Sequence, residues 1–253
     1  MTVTETTPNN STRPLGQLLL GIIDKPAATF QAVLASPRKK LMWIVPLLII
    51  TAAFVALIVI QSPYTVELAR EQSEKQLATL PPAQADMARQ QTEVFLSLPF
   101  LLTTTLIVGL ITLAIAVLAQ SAFFYFAAML AGGADMNFGA MFTVSVWTRL
   151  PAVVAAIVQA AFILATKKII QYPGLSALVS SGDLMIDAKN PLVPLLGSLD
   201  LFWLWQLFLI VVGVGIATRL SRVKTVLLTV VYAALALGFT VTPTLLTSLM
   251  QPK

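Results

Sequence analysis

Long uncharged apolar runs alternate with short polar connections along the chain. A bilayer core about 30 Å thick needs about 20 apolar helical residues to cross it, and five runs reach that length. Because lipid offers no partners to backbone groups, each run is predicted to be helical; a barrel would show alternating strands of about ten residues. The fold class predicted is therefore all-α, a polytopic bundle of five transmembrane helices. The spans cover residues 41–60, 100–130, 138–165, 199–218 and 226–249, within a transmembrane domain at 41–249.

Three further segments lie outside these runs. Residues 1–14 are polar and lack apolar periodicity, which predicts a disordered N-terminal tail. Residues 15–40 repeat apolar side chains at helical spacing and end in Arg38-Lys39-Lys40, which predicts an interfacial amphipathic helix. Residues 62–94 are rich in Ala, Gln and Glu and are divided at Pro81-Pro82, so we expect a polar helical hairpin. Its charges are interpreted either as an ordinary solvated face or as an acidic docking surface.

The distribution of Lys and Arg predicts the orientation. The basic triplet 38–40 directly precedes the first span, whereas the hairpin at 62–94 holds 3 basic and 5 acidic residues. Charges close to the first helix have the largest effect on topology. This favours a cytoplasmic N-terminus and an outer C-terminus, although Lys167 and Lys168 argue for the opposite. The first run suits an uncleaved signal anchor, since it is longer than the apolar region of a signal peptide.

The composition of the chain excludes several classes of chemistry. Only 11% of the 253 residues are charged and 57% are hydrophobic, whereas soluble domains carry about 25% charged residues. The chain has 0 Cys and 0 His, which excludes thiolate and imidazole metal ligands and any nucleophile paired with histidine. Asp183 and Asp187 together offer too few oxygen ligands for Ca²⁺. We therefore expect no enzyme activity, no catalytic residue, no metal, no cofactor and no nucleic-acid partner.

Arg149 is the one charged residue that falls deep in a predicted span. An ionisable group in hydrocarbon is a functional candidate, because its burial is costly. In one interpretation Arg149 lies near the midplane and lines a polar cavity with Gln159, Gln206 or Asp200. In the other, Pro151 ends a short interfacial helix and leaves Arg149 at the level of the headgroups.

Small residues recur at helical spacing in several spans. Gly213 and Ala217 form one such pair, and Ala234 and Gly238 form another. Spacing of this kind lets helix backbones approach closely. We expect these faces to support a compact bundle, self-association or contact with other membrane proteins.

The C-terminal half carries a recognisable block, Leu199-Asp200-Leu-Phe-Trp203-Leu-Trp205-Gln206, which is followed by Thr218-Arg-Leu-Ser-Arg-Val-Lys224. With Pro26-Ala-Ala-Thr-Phe30, Gly132-Gly133 and the segment from Phe138 to Pro151, it resembles the bacterial branch of the YIP family, named for Ypt/Rab-interacting proteins. The resemblance implies a five-helix bundle with a cytoplasmic N-terminus. Binding of GTPases, which is associated with eukaryotic members, is not carried over, because this chain lacks their longer cytoplasmic region.

The sequence thus predicts a multi-pass protein of the bacterial plasma membrane that contacts lipid and acts as a scaffold or membrane organiser. The alternative is a transporter or channel component that uses Arg149 for a small solute. An odd number of spans and the absence of an evident inverted repeat count against transport. The candidate functional or packing positions are Arg149, Pro151, Asp200, Trp203, Trp205, Gln206 and Gly213.

Overall fold

The computed structural model describes residues 14–134 and 137–250. The tail predicted at 1–14 lies outside the described residues, except for Pro14. Helices α1 to α11 cover Leu15–Asp24, Pro26–Ala35, Lys39–Leu77, Pro82–Phe95, Leu98–Leu130, Phe138–Trp147, Pro151–Thr166, Leu184–Asp187, Leu192–Gly197, Leu201–Thr218 and Arg222–Met250.

Among the described residues, five helical segments are long and apolar enough to cross a membrane. They are α3, α5, the pair α6 and α7, α10, and α11. The predicted all-α fold with five membrane-spanning helices is confirmed. The third segment is divided, because α6 ends at Trp147 and α7 begins at Pro151. The nitrogen of Pro151 carries no hydrogen, so it cannot donate a hydrogen bond to the preceding turn.

One end of the bundle is defined by two turns that contact each other. The Ala134 N–H donates to the Thr218 carbonyl at 3.0 Å, and Lys224 Nζ donates to the Ala131 carbonyl at 2.7 Å. The turn between α5 and α6 therefore lies beside the turn between α10 and α11. We call this end the N-terminal face, since α2 packs against α10, α3 and α6 here.

Helix α3 is much longer than a bilayer is thick. Its 39 residues span about 58 Å at 1.5 Å per residue, against a hydrocarbon core of about 30 Å. Beyond residue 60 it continues without a break, and α4 folds back along it. Arg89 Nη2 of α4 lies 3.0 Å from Glu74 Oε2 of α3, which fastens the two helices together. We call residues 61–95 the arm.

Proline rings inside α3 leave carbonyl groups without their helical partners. Pro46 has no N–H for the Met42 carbonyl one turn earlier, and the indole Nε1–H of Trp147 donates to that carbonyl instead. Trp147 is fully buried, so this bond joins α3 to α6 inside the bundle. In the same way, the Ser62 hydroxyl donates at 3.1 Å to the Val59 carbonyl, because Pro63 has no N–H to donate to it.

The two N-terminal helices pack into the bundle. Leu18 and Ile22 of α1 are buried, and Phe30 of α2 is fully buried. Phe30 lies against α10, where a Cβ placed on Gly213 would come within 3.0 Å of its ring. Ile23 of α1 stays 60% exposed at the N-terminal face, which suits the interfacial location predicted for 15–40. That location stays a prediction.

The opposite end, the far face, carries the arm and residues 167–200. Here Asp183 caps α8 by accepting from the Met185 N–H at 2.8 Å. The buried Asp187 carboxylate accepts from the Ser181 N–H at 2.7 Å. This hydrogen bond is the main reason why the pKa of Asp187 is lowered from its ordinary value of 3.8. Both carboxylates therefore hold the loop in shape.

Candidate functional site

A polar cluster lies inside the bundle, where α5, the break between α6 and α7, and α11 come together. Gln120 of α5 is at its centre and is 1% exposed. Its Nε2 donates to Thr148 Oγ1 at 2.9 Å, and its Oε1 accepts from Arg149 Nη2 at 3.3 Å and from the Tyr232 hydroxyl at 3.2 Å. Thr148 donates in turn to the Ser145 carbonyl at 3.0 Å. We call these residues the Gln120 cluster.

The cluster lies deep below the N-terminal face. Gln120, Arg149 and Tyr232 are each ten or eleven residues along their helices from Leu130, Phe138 and Arg222. At 1.5 Å per residue this is about 15 Å, half the thickness of a bilayer core. The location of Arg149 at the membrane midplane stays a prediction. A helix does end just before Pro151, yet the guanidinium group is far from the end of the bundle.

Neutral dipoles, not carboxylates, surround the Arg149 guanidinium group. Among the described residues no Asp or Glu lies within ion-pair distance of it, and its buried Nε has no hydrogen-bond partner. The Tyr232 ring next to it packs on Phe124, with 5.1 Å between the ring centroids. A cation in such surroundings is poorly compensated, so the site favours an approaching anion or dipole.

The break between α6 and α7 is what brings Arg149 to Gln120. Thr148, Arg149 and Leu150 form a turn in which the Arg149 N–H bonds to the Val146 carbonyl at 3.1 Å. Pro151 then occupies the first position of α7 and is buried. A proline is well suited to a first helical turn, where its missing N–H has no partner to lose.

Three other predicted residues meet at a cavity on the far side of this cluster. Asp200, Trp203 and Gln206 of α10 line a cavity of about 320 Å³ together with residues of α7 and α11. The cavity extends from the far face to Ala152, one helical turn from Arg149. Asp200 is also the N-cap of α10, because its Oδ1 accepts from the Trp203 N–H at 2.7 Å. The structure does not join Asp200 or Gln206 to Arg149 directly.

The remaining predicted positions serve packing. Trp205 is partly buried against the apolar core. Gly213 faces a crowded site, since an added Cβ would lie 2.7 Å from Val144 Cγ1 and 3.0 Å from the Phe30 ring. Gly213 therefore admits the side chains of α2 and α6 to the surface of α10.

Gln120, Thr148 and Tyr232 are not among the functional positions predicted from the sequence. A signal for Gln120 was present: it is a polar residue in a run without charges, at the same distance from its helix end as Arg149. Gln159, a partner of Arg149 in the first interpretation, makes no hydrogen bond to it. Which polar residue meets the arginine depends on helix rotation and tilt, and neither can be deduced from one span alone.

No group of three or more metal-ligating side chains occurs among residues 14–134 and 137–250. The Asp183 and Asp187 carboxylates accept hydrogen bonds from loop N–H groups. The cluster likewise offers an amide, two hydroxyls and a guanidinium group. It presents donors to a negative or polar group and no nucleophile activated by a base.

The chain matches the model of a known protein family. The family model described as the Yip1 domain matches residues 20–243, which include the Gln120 cluster and the cavity beside it. The chain belongs to the Yip1 family. Membership and the five long apolar helices together make this Yip1-domain protein a multi-pass membrane protein in contact with lipid. The family named from the sequence is thereby confirmed, and the bacterial branch stays a prediction. No curated protein and no solved structure matches the chain.

Proposed function

We propose that this Yip1-family protein is a non-enzymatic scaffold of the bacterial plasma membrane, with its N-terminus in the cytoplasm and its C-terminus outside. It organises partner proteins or the membrane around it. The proposal rests on the structure of the arm. A helix that leaves the bilayer without a break and is fastened to a second helix presents a firm surface at a fixed distance from the membrane.

The arm combines rigidity with exposed apolar side chains. Lys75 Nζ lies 2.8 Å from Glu71 Oε1 within α3, and Arg89 bridges to Glu74 across the hairpin. On α4, Met87 and Val94 are 65% and 63% exposed. They are seven residues apart and so lie on one helix face. Exposed apolar positions in a charged surrounding are typical of protein contact sites.

Photocrosslinking in native membranes tests the scaffold. A photoreactive phenylalanine analogue at Met87 is expected to give discrete protein adducts from the arm. The control carries the same analogue at Leu235, which is 51% exposed on α11 within the apolar part of the helix. No adduct at either position would contradict the scaffold function. Adducts at Leu235 alone would move the contact from the arm to the membrane-embedded surface.

A self-association face is supported by α11. Ala234 and Gly238 are both exposed, and nothing lies within 4 Å of a Cβ placed on Gly238. A second copy can therefore approach this backbone closely. Disulfide crosslinking of Ala234→Cys is a direct test, since the native chain has 0 Cys. A dimer is expected at 234 and not at Ser221→Cys, which serves as the control.

A second candidate function, a small-solute transporter or channel component, is favoured by one observation. The cavity of about 320 Å³ lies one helical turn from the uncompensated Arg149. In liposomes, uptake of small anions that is lost in Arg149→Gln and kept in Lys40→Gln would favour transport over the scaffold. Equal uptake by empty and protein-containing liposomes would eliminate this candidate.

A further inference from the structure

An apolar groove runs along α10 at the N-terminal face, with a volume of about 580 Å³. One wall is the α10 surface from Phe208 to Ile216. Helix α2 contributes Ala27 at the mouth, and the first turn of α11 contributes Arg222 and Val226. The groove is separate from both the Gln120 cluster and the arm, and none of the functions above uses it.

The groove has the depth of one leaflet. Phe208 is ten residues from Thr218, where α10 ends at the N-terminal face, so the apolar wall extends about 15 Å into the bundle. This is half of the hydrocarbon core of about 30 Å. Small residues keep it open: a Cβ placed on Gly215 would meet nothing closer than Thr225 Oγ1 at 3.6 Å. An extended acyl chain fits these dimensions and this chemistry.

The mouth of the groove carries a cation that the protein leaves unpaired. The Arg222 side chain is exposed and makes no hydrogen bond or ion pair with any described residue. Lys224, two residues further on, is by contrast bound to the Ala131 carbonyl. Arg222 is the first residue of α11 and so lies where the helix meets the headgroup region. Its five N–H donors match the oxygens of a phosphate group.

We propose that this groove binds an anionic phospholipid, with one acyl chain along α10 and the headgroup phosphate on Arg222. The charge selects the headgroup, and the apolar wall selects a lipid over a free anion. A zwitterionic lipid carries its own cation beside the phosphate and gains less from Arg222. One basic residue near an anionic leaflet contributes enough binding free energy for a preference of about fivefold.

Native mass spectrometry of the full chain tests the proposal. The protein is released from nanodiscs that contain equal amounts of phosphatidylglycerol and phosphatidylcholine, and the retained lipids are counted. The wild type is expected to retain phosphatidylglycerol about fivefold over phosphatidylcholine. Arg222→Gln should lose this preference. Lys40→Gln, which removes an exposed cation at the same face outside the groove, should keep it.

A second variant separates the groove from the charge. Ala27→Phe places a ring in the mouth at an exposed position and leaves Arg222 intact, so it should reduce retention of both lipids. Retention unchanged in Ala27→Phe, or a preference for phosphatidylglycerol that survives Arg222→Gln, would overturn the proposal. Circular dichroism verifies that each variant is folded. If millimolar inorganic phosphate displaces the bound lipid, the site recognises a free anion, and the proposal of a lipid site is wrong.

Discussion

At the scale of single residues, Arg149 is held in the bundle by neutral dipoles. The Gln120 carbonyl oxygen accepts from both Arg149 and Tyr232, while the amide nitrogen binds Thr148. A glutamine suits this position because it offers an acceptor and donors at once. Loss of that one side chain leaves three polar groups in apolar surroundings. The cluster therefore depends on Gln120 more than on any of its partners.

The cluster predicts an unequal response to substitution. Gln120→Leu should destabilise the protein by about 1–3 kcal/mol, because it leaves buried donors and an acceptor unpaired. Tyr232→Phe removes a single hydroxyl and should cost about 1 kcal/mol. Unfolding in detergent micelles measures both. Gln159→Leu, a partly buried glutamine outside the cluster, is the matched control and should change stability little. Equal losses at 120 and 159 would contradict the central role of Gln120.

At the scale of elements, neighbouring helices contact each other at positions where the regular structure of one helix is interrupted. The proline at position 46 frees a carbonyl in α3, and Trp147 of α6 binds it. The break before Pro151 turns Arg149 towards α5. Gly213 removes a side chain from α10 where Phe30 enters. Each interruption costs some helix stability and is offset by a specific contact with a neighbouring helix.

The proline and the tryptophan should therefore be coupled. Trp147→Phe leaves the Met42 carbonyl without a donor and is expected to cost about 1–3 kcal/mol beyond the small loss of volume. In a Pro46→Ala background the N–H of residue 46 can serve that carbonyl, so the same substitution should cost clearly less. A double-mutant cycle of unfolding free energies measures the difference. Additive effects would show that the indole bond does not replace the helical one.

The far-face loop should be sensitive to acid. Because the pKa of Asp187 is lowered on folding, its contribution to stability is present at neutral pH and is lost as the pH falls below 3.8 and through the lowered value. The protection of the Ser181 N–H against hydrogen exchange, taken relative to the intrinsic exchange rate at each pH, should fall over that range. In Asp187→Asn exchange should already be fast at neutral pH and should lack the acid transition. An acid transition that persists in the variant would assign the effect to another group.

At the scale of the whole molecule, two faces with different roles emerge. The N-terminal face gathers α1, α2 and the basic turn before α11, and it holds the apolar groove proposed to bind a lipid. The far face carries the arm and the loop fixed by Asp183 and Asp187. The Gln120 cluster lies between them, about half a bilayer from the N-terminal face. The proposed partner on the arm and the proposed lipid at Arg222 would thus contact opposite sides of one bundle.

The proposed orientation predicts which face is accessible from outside. With 0 native Cys, single cysteines report topology without a background. Ser73→Cys on the arm should react with an impermeant thiol reagent on intact cells, and Ser221→Cys at the N-terminal face should react only after the membrane is opened. Labelling of Ser221→Cys alone would invert the orientation and place the arm in the cytoplasm.

The sequence by itself determined the number of spans, the family and the absence of cysteine and histidine. These follow from local quantities: the length of an apolar run, the need to satisfy its backbone within the helix, and the residue types that are missing. Arg149 could be recognised as unusual for the same reason. Only the tertiary structure decided that Gln120 and Tyr232 meet it, that Phe30 enters at Gly213, and that the Trp147 indole completes α3. Such partners depend on the rotation and tilt of several helices at once, and no single span encodes these.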